Sequence, residues 1–317
     1  MSFSAILLAL LLDQARPLTP GNPVHAAFRA WVRWCSRNFD AGEHHHGWLA
    51  WGFACVAPAL AALAVHWLLV FSLGWIATVL WSVIVLYATL GFRQFSHHFT
   101  GIRDALEAGD EDQARTLLAA WEQIDAHDLP RSEIVRHVIE HSVLAAHRHV
   151  FGVLLWFSVL TAFGLGPAGA VLYRLSEFVN RYWQHQSKTH FQPVSAALQG
   201  AATSAWAAID WLPARITALG FAVVGSFEEA IDAWRAYAQR AEANNDGVIL
   251  AATSGAVNVR LTGSRMRPVD AAVDGTPAPN RYEPEPAHLR SIVGLVWRSV
   301  VMWMLLLALL SLARLLG

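Results

Sequence analysis

The chain has 317 residues, 55% of them hydrophobic and only 15% charged, against roughly 25% charged in a soluble domain. A formal net charge of −1 leaves no concentrated basic surface, which excludes a nucleic-acid partner. The composition points instead to the lipid bilayer, and two cysteines, Cys35 in a polar stretch and Cys55 in an apolar run, imply no disulfide framework.

In chain order, residues 1–12 have an apolar core with no basic stretch before it and no small-x-small cleavage pattern after it, so the segment reads as retained. About ten apolar residues fall short of the roughly 20 that span hydrocarbon, which predicts a re-entrant or interfacial helix. Five longer apolar stretches follow, at 47–71, 74–92, 151–175, 200–224 and 292–312, each long enough to cross as a helix. Only Ser72 and Leu73 separate the first two, predicting a tight helical hairpin with Trp67 and Trp75 at the interface. The fourth contains Asp210, Pro213 and Arg215, and a re-entrant or buried core helix is its alternative to a span. The expected fold is all-α: one polytopic membrane domain over 1–317 with four to six crossings, its last membrane helix at 292–312.

The connections carry the charge. Arg16, Arg29, Arg33 and Arg37 precede the first long span, six arginines from Arg93 to Arg148 lie between the second and third, and 225–291 holds a further group; Arg174, Arg181, Lys188 and Arg314 fall on the opposite side. This bias assigns 16–46, the insertion 93–150 and the segment 225–291 to the cytoplasm of a bacterial inner-membrane protein, with Gly317 outside. Within 93–150, helical periodicity over 101–108 and 112–121 around Gly109 and Asp110 predicts a helical hairpin, and Ser132 is the expected N-cap of a helix feeding the membrane. The stretch 262–286, rich in Pro, Gly, Asp and Arg, reads as a loop.

Several polar groups are candidates for chemistry. Glu133, His137, Glu140 and His141 share a helix face at spacings of three and four. Metal binding is conceivable there, but the expectation is a solvated polar face, since the H-E-x-x-H pattern is absent. His44, His45 and His46, and likewise His97 and His98, are consecutive, so on a helix they diverge; they read as interfacial histidines and no metal site is assigned. Asp210 and Arg215 flank Pro213, which removes the backbone bond to the Ile209 carbonyl and opens the helix where both could meet a polar ligand. Asn244, Asn245, Asp246 and Gly247 form a polar turn leading into the small residues Ala251, Ala252, Gly255 and Ala256, whose default role is close helix packing. No Walker-type or dinucleotide motif is present.

At these residues the chain resembles the CobD/CbiB family nearly end to end. LALLLDQARPLTPGNPVH looks like that family's opening, with Asp13 in place, and LEAGDEDQARTLL is similar to its cytoplasmic hairpin. IDWLPARITAL (209–219) resembles the family's Asn-Trp-Ile-Pro-Ala-Arg stretch with Asp210 for Asn, and NNDGVILAATSGAVNVRLTG resembles its Pro-Asn-x-Gly segment and the helix after it. EPEPAHLRSIVGLVWRS resembles the run into the last helix. The resemblance implies an adenosylcobinamide-phosphate synthase, an ATP-dependent amide-forming ligase using Mg²⁺ that joins a corrinoid carboxylate to aminopropanol or its phosphate in cobalamin synthesis. It also implies candidate contacts to a corrinoid or nucleotide: Asp210, Arg215, Asn245 and Gly247, then Glu140 and His141.

Two motifs depart from the family. Where it carries Glu-Ser-x-Ala-Glu-Asn-x-Ser-Asp-Gly, this chain keeps only Glu140, ending in His147, Arg148 and His149; where it has Asn-Thr-Leu-Asp-x-Met-Val-Gly, this chain reads from Ser176 and Glu177 to Trp183. Trp206 and Ala207 replace an acidic pair. Such losses imply an altered synthase site, since ATP-linked amide formation needs groups to hold Mg²⁺. In this the chain also resembles AmpE-like proteins, non-enzymatic membrane signalling modulators, which supply the alternative function. No catalytic residue is assigned, and the sequence sets no oligomeric state.

Overall fold

A computed structural model describes residues 2–16, 23–122, 124–188, 194–241, 243–261 and 281–316. Among them the protein is all-α: α1 (Ser2–Ala15), α2 (Pro23–Phe39), α3 (His44–Ser72), α4 (Trp75–Thr89), α5 (Phe92–Glu107), α6 (Glu111–Glu122), α7 (Arg131–Ala146), a π-helical turn (His147–Phe151), α8 (Gly152–Ala162), α9 (Ala168–Lys188), α10 (Ala196–Ile209), α11 (Trp211–Val224), α12 (Phe227–Ala238), α13 (Asn245–Val257) and α14 (Pro286–Leu316). Extended pairing is limited there to one isolated bridge, Val259 with Tyr282. The chain forms two compact units: residues 1–92, 148–213 and 307–317, and residues 93–147 and 214–306.

The first unit is built on α3, which packs against α2, α4, α9 and α10. Its inward positions are small: Gly47, Ala50, Ala54, Cys55, Ala59 and Ala62 are buried, while Leu49, Phe53, Leu60, Leu68 and Phe71 are exposed. That inverts a water-soluble helix. Small residues let backbones approach where packing must drive association, and large apolar side chains face lipid. At Gly47 a Cβ would lie 2.5 Å from the Ala197 carbonyl oxygen of α10, so the start of α3 touches backbone directly. The predicted hairpin is present, with Gly74 at φ +78° turning α3 into α4 and both Trp67 and Trp75 exposed. Cys35 and Cys55 are buried free thiols, and burial pushes the Cys35 thiol up to about 11.

Three helices are long and apolar enough to cross a membrane, His44–Ser72, Arg131–Ala162 and Pro286–Ala313, and the bent pair Ala196–Ile209 and Trp211–Val224 makes up to four. The expected boundaries therefore change. The run 151–175 is not one helix: Gly164 and Gly166 at positive φ and Pro167 break it between α8 and α9. The long apolar helix runs instead from Arg131 through the π-helical turn. The stretch 74–92 yields only the 15 residues of α4, and residues 1–12 give the short α1 against α4.

The second unit contains the predicted α5/α6 hairpin, with Gly109 at φ +78° in its turn. Pro130, rather than Ser132, caps α7; its missing N–H costs nothing where a helix leaves its first amides unpaired. α12 and α13 pack as a close pair. A Cβ on Gly255 would meet the Glu229 carbonyl oxygen at 2.2 Å, so the small residues of α13 admit the α12 backbone. The expected loop 262–286 lies largely outside the described residues; 281–285 is non-helical and α14 starts at Pro286.

Candidate functional site

In the second unit the two stretches closest to the family meet. Arg215, in the first turns of α11, donates from Nη1 to Asn245 Oδ1 at 3.0 Å. Asn245 opens α13, whose N-cap Asn244 accepts the Gly247 amide on its side chain at 2.8 Å, satisfying one amide that a helix start leaves unpaired. The Tyr237 hydroxyl accepts the Asn244 amide at 3.3 Å. Its ring lies where a Gly247 Cβ would stand, 1.9 Å from the hydroxyl oxygen. Only glycine permits this contact. Arg240 lies over the same ring, 5.7 Å from its centroid. The result is a guanidinium held beside the amide-rich start of a helix, with Asn244 exposed and Arg215 half-buried. The guanidinium and the helix start are groups that can meet a carboxylate or phosphate, with the Asp246 carboxylate in the same first turn.

Asp210 belongs to the first unit. It is buried, ends α10 as its C-cap, and accepts the Tyr173 hydroxyl at 2.8 Å. The Ile209 carbonyl oxygen, released because Pro213 has no N–H, accepts the indole N–H of Trp156 at 3.1 Å. The broken helix is thus repaired locally by side chains of α8 and α9.

Glu140 and His141 have different neighbours. Glu140 is buried with Arg136 Nε 3.8 Å from its carboxylate; Arg136 also pairs with Glu133. His137 and His141 both reach Glu122 of α6, at 3.0 and 3.3 Å. Burial pushes the Glu122 carboxyl up, but hydrogen bonds from His137 and His141 outweigh it and hold it at about 2. The face expected to be solvated is therefore docked on α6, with His141 against Trp121. The α6 partner lies 15 residues before His137, beyond the reach of helix periodicity.

A second polar cluster, which the sequence reading left out of its candidates, occupies the departed motifs. Glu177 of α9 is 3% exposed and pairs with Arg174, while Arg181 Nε stands 3.5 Å away. Burial raises its pKa, but Arg181 and Arg174 hold the carboxyl at about 2. His25 is held below the ordinary imidazole range, first by burial and then by Arg174. His25 and Arg174 line a small cleft bordered by Phe28, Thr89 and Phe178. The spacing of three and four between Arg174, Glu177 and Arg181 was the available signal.

The Mg²⁺ implied by the resemblance does not fit these groups. Glu140 faces Arg136, Glu177 lies between two guanidiniums, and Asp210 accepts a phenol. Mg²⁺ needs hard oxygen ligands in a near-octahedral array.

Comparison with known proteins settles the family. The sequence model described as CobD/Cbib protein matches residues 5–296. The chain belongs to the CobD/CbiB family. Among curated CobD/CbiB relatives, a protein from Stutzerimonas stutzeri named "Cobalamin biosynthesis protein CobD" is 28% identical over 96% of each chain. One of the same name from Chromobacterium violaceum is 31% identical, over 57% of this chain and 55% of its own. Another from Desulfotalea psychrophila is 27% identical over 81% and 82%. No solved structure matches this CobD/CbiB chain.

Proposed function

We propose that this membrane protein acts in cobalamin biosynthesis by recognising a corrinoid through Arg215, Asn245 and Gly247, with the family's synthase chemistry altered. The observation that carries the reading is the Arg215 to Asn245 hydrogen bond: the two stretches most like the family form one anion-favouring turn. A corrinoid carboxylate suits that turn as a charge-assisted partner of the guanidinium. The relatives' names supply the pathway. The carboxylates at Glu140, Glu177 and Asp210, each engaged with a guanidinium or a phenol, support an altered reaction.

A bacterial inner membrane, with the polar segments after α4 and after α11 on the cytoplasmic side, is the reading that the arginine distribution supports. Reporter fusions after Glu122 and after Arg240 test this: both are expected to report the cytoplasm, and a periplasmic signal from either contradicts it.

The test of function uses the full chain in detergent, titrated with a cobinamide carboxylic-acid precursor and read by the corrin absorbance. Binding that Arg215→Ala weakens about tenfold, equivalent to about 1.4 kcal/mol, is the expected result. A folded, monodisperse wild-type protein that binds no corrinoid removes the reading and leaves the signalling alternative.

A further inference from the structure

We infer that Glu43, His45 and His46, at the start of α3, form a binding site for a divalent first-row transition metal of the Zn²⁺ type. Glu43 is the N-cap residue of α3, yet its carboxylate makes no capping hydrogen bond to the helix amides. It stands instead 3.3 Å from His45 Nδ1 and 3.8 Å from His46 Nδ1. One ligand atom from each of the three residues lies within 4.8 Å of the other two. The two imidazoles overlap with centroids 4.0 Å apart, and His46 Nδ1 is shut off from solvent without a hydrogen-bond partner.

Consecutive helical residues ordinarily diverge, and His44 is outside the group. His45 and His46 converge because they occupy the first turn, where no preceding turn restricts χ1. The flanking backbone is fixed on both sides. Asp40 accepts the Gly42 amide at 3.3 Å and the Ser195 amide at 2.9 Å, tying the turn before Glu43 to the start of α10. Gly47, one residue beyond His46, sits against the Ala197 carbonyl. A ligand set on such a support is pre-organised.

Two imidazole nitrogens and one carboxylate oxygen suit Zn²⁺, Ni²⁺ or Cu²⁺ and not the all-oxygen preference of Mg²⁺. Three protein ligands leave a coordination position for water or an external donor. The positive end of α3 opposes a cation here, and the Glu43 carboxylate supplies the compensating charge. The site is independent of the corrinoid reading, since it uses no residue from that turn.

The experiment titrates Zn²⁺ alone into the full chain, purified in detergent without a histidine tag, against a chromogenic chelator. One tight equivalent is expected in the wild type, unchanged in His44→Ala, weakened at least tenfold in Glu43→Gln and absent in the double variant His45→Ala, His46→Ala. Retention of the equivalent by the double variant, or its loss in His44→Ala, overturns the site. A second measurement uses unmutated protein: Zn²⁺ is expected to protect His45 and His46 from diethylpyrocarbonate, read by peptide mass spectrometry. Equal labelling with and without Zn²⁺ overturns it as well.

Discussion

The α11/α13 turn and the α9 cluster both occupy positions where the family keeps polar motifs, but the turn stays close to the family's sequence and the cluster departs from it. In the turn, Arg215 donates to a neutral amide, Asn245, in a helix start that also carries Asp246. In the cluster, the buried carboxylate of Glu177 lies between Arg174 and Arg181; it compensates the buried Arg174, and the excess positive charge sits on the exposed Arg181. The first arrangement is the one proposed to meet a ligand, whereas the buried Glu177 pair with Arg174 belongs to the fold.

Four substitutions sharpen that contrast. The largest effect is expected at the packing that supports the turn. Gly255→Leu drives a side chain into the α12 backbone and is predicted to cost more than about 4 kcal/mol, seen as loss of the cooperative thermal transition in detergent. Next is Glu177→Gln, which leaves the Arg174 charge buried and uncompensated; breaking such a pair costs about 3–5 kcal/mol. Because the folded carboxyl is held at about 2, below its ordinary 4.5, the Glu177 contribution is complete above pH 4.5 and is lost as pH falls towards 2. Stability measured across that window is predicted to fall in the wild type and to flatten in the variant. If Glu177→Gln unfolds at the wild-type temperature at neutral pH, the cluster is not structural.

A smaller loss is expected from Asn244→Ala, which removes the cap on the Gly247 amide and costs about 1 kcal/mol; a lowered unfolding temperature checks it. Least is Arg215→Lys. It keeps the charge but loses the planar fork, so stability is predicted to hold within about 0.5 kcal/mol while corrinoid affinity falls. An unchanged affinity would mean that only charge, and not the geometry set by Asn245, is used.

Much of this architecture was legible in composition and turn chemistry. The α3/α4 hairpin followed from two apolar runs interrupted by a short turn, and the α5/α6 hairpin from helical periodicity on either side of Gly109 and Asp110. The 151–175 run misled because apolar composition was continuous, although Gly164, Gly166 and Pro167 announced the break between α8 and α9. The π-helical turn at His147–Phe151 has no local signature of that kind. The site divided similarly. Arg215 and Asn245 were each visible as polar exceptions beside small residues or a proline, but their meeting depends on a separation of 30 residues. Tyr173 as the partner of Asp210, 37 residues away, and Glu122 as the partner of His137 and His141 lie equally beyond any spacing rule.

The central claim, that the family-like turn still recognises a corrinoid while the departed cluster serves only the fold, is tested most directly by one paired titration. Corrinoid binding is measured on the full chain carrying Arg215→Ala and, separately, Arg181→Ala, chosen because Arg181 is the exposed member of the α9 cluster. The account predicts about a tenfold loss of affinity in the first and wild-type affinity in the second. Unchanged binding in Arg215→Ala together with weakened binding in Arg181→Ala would place the ligand at the α9 cluster and contradict it.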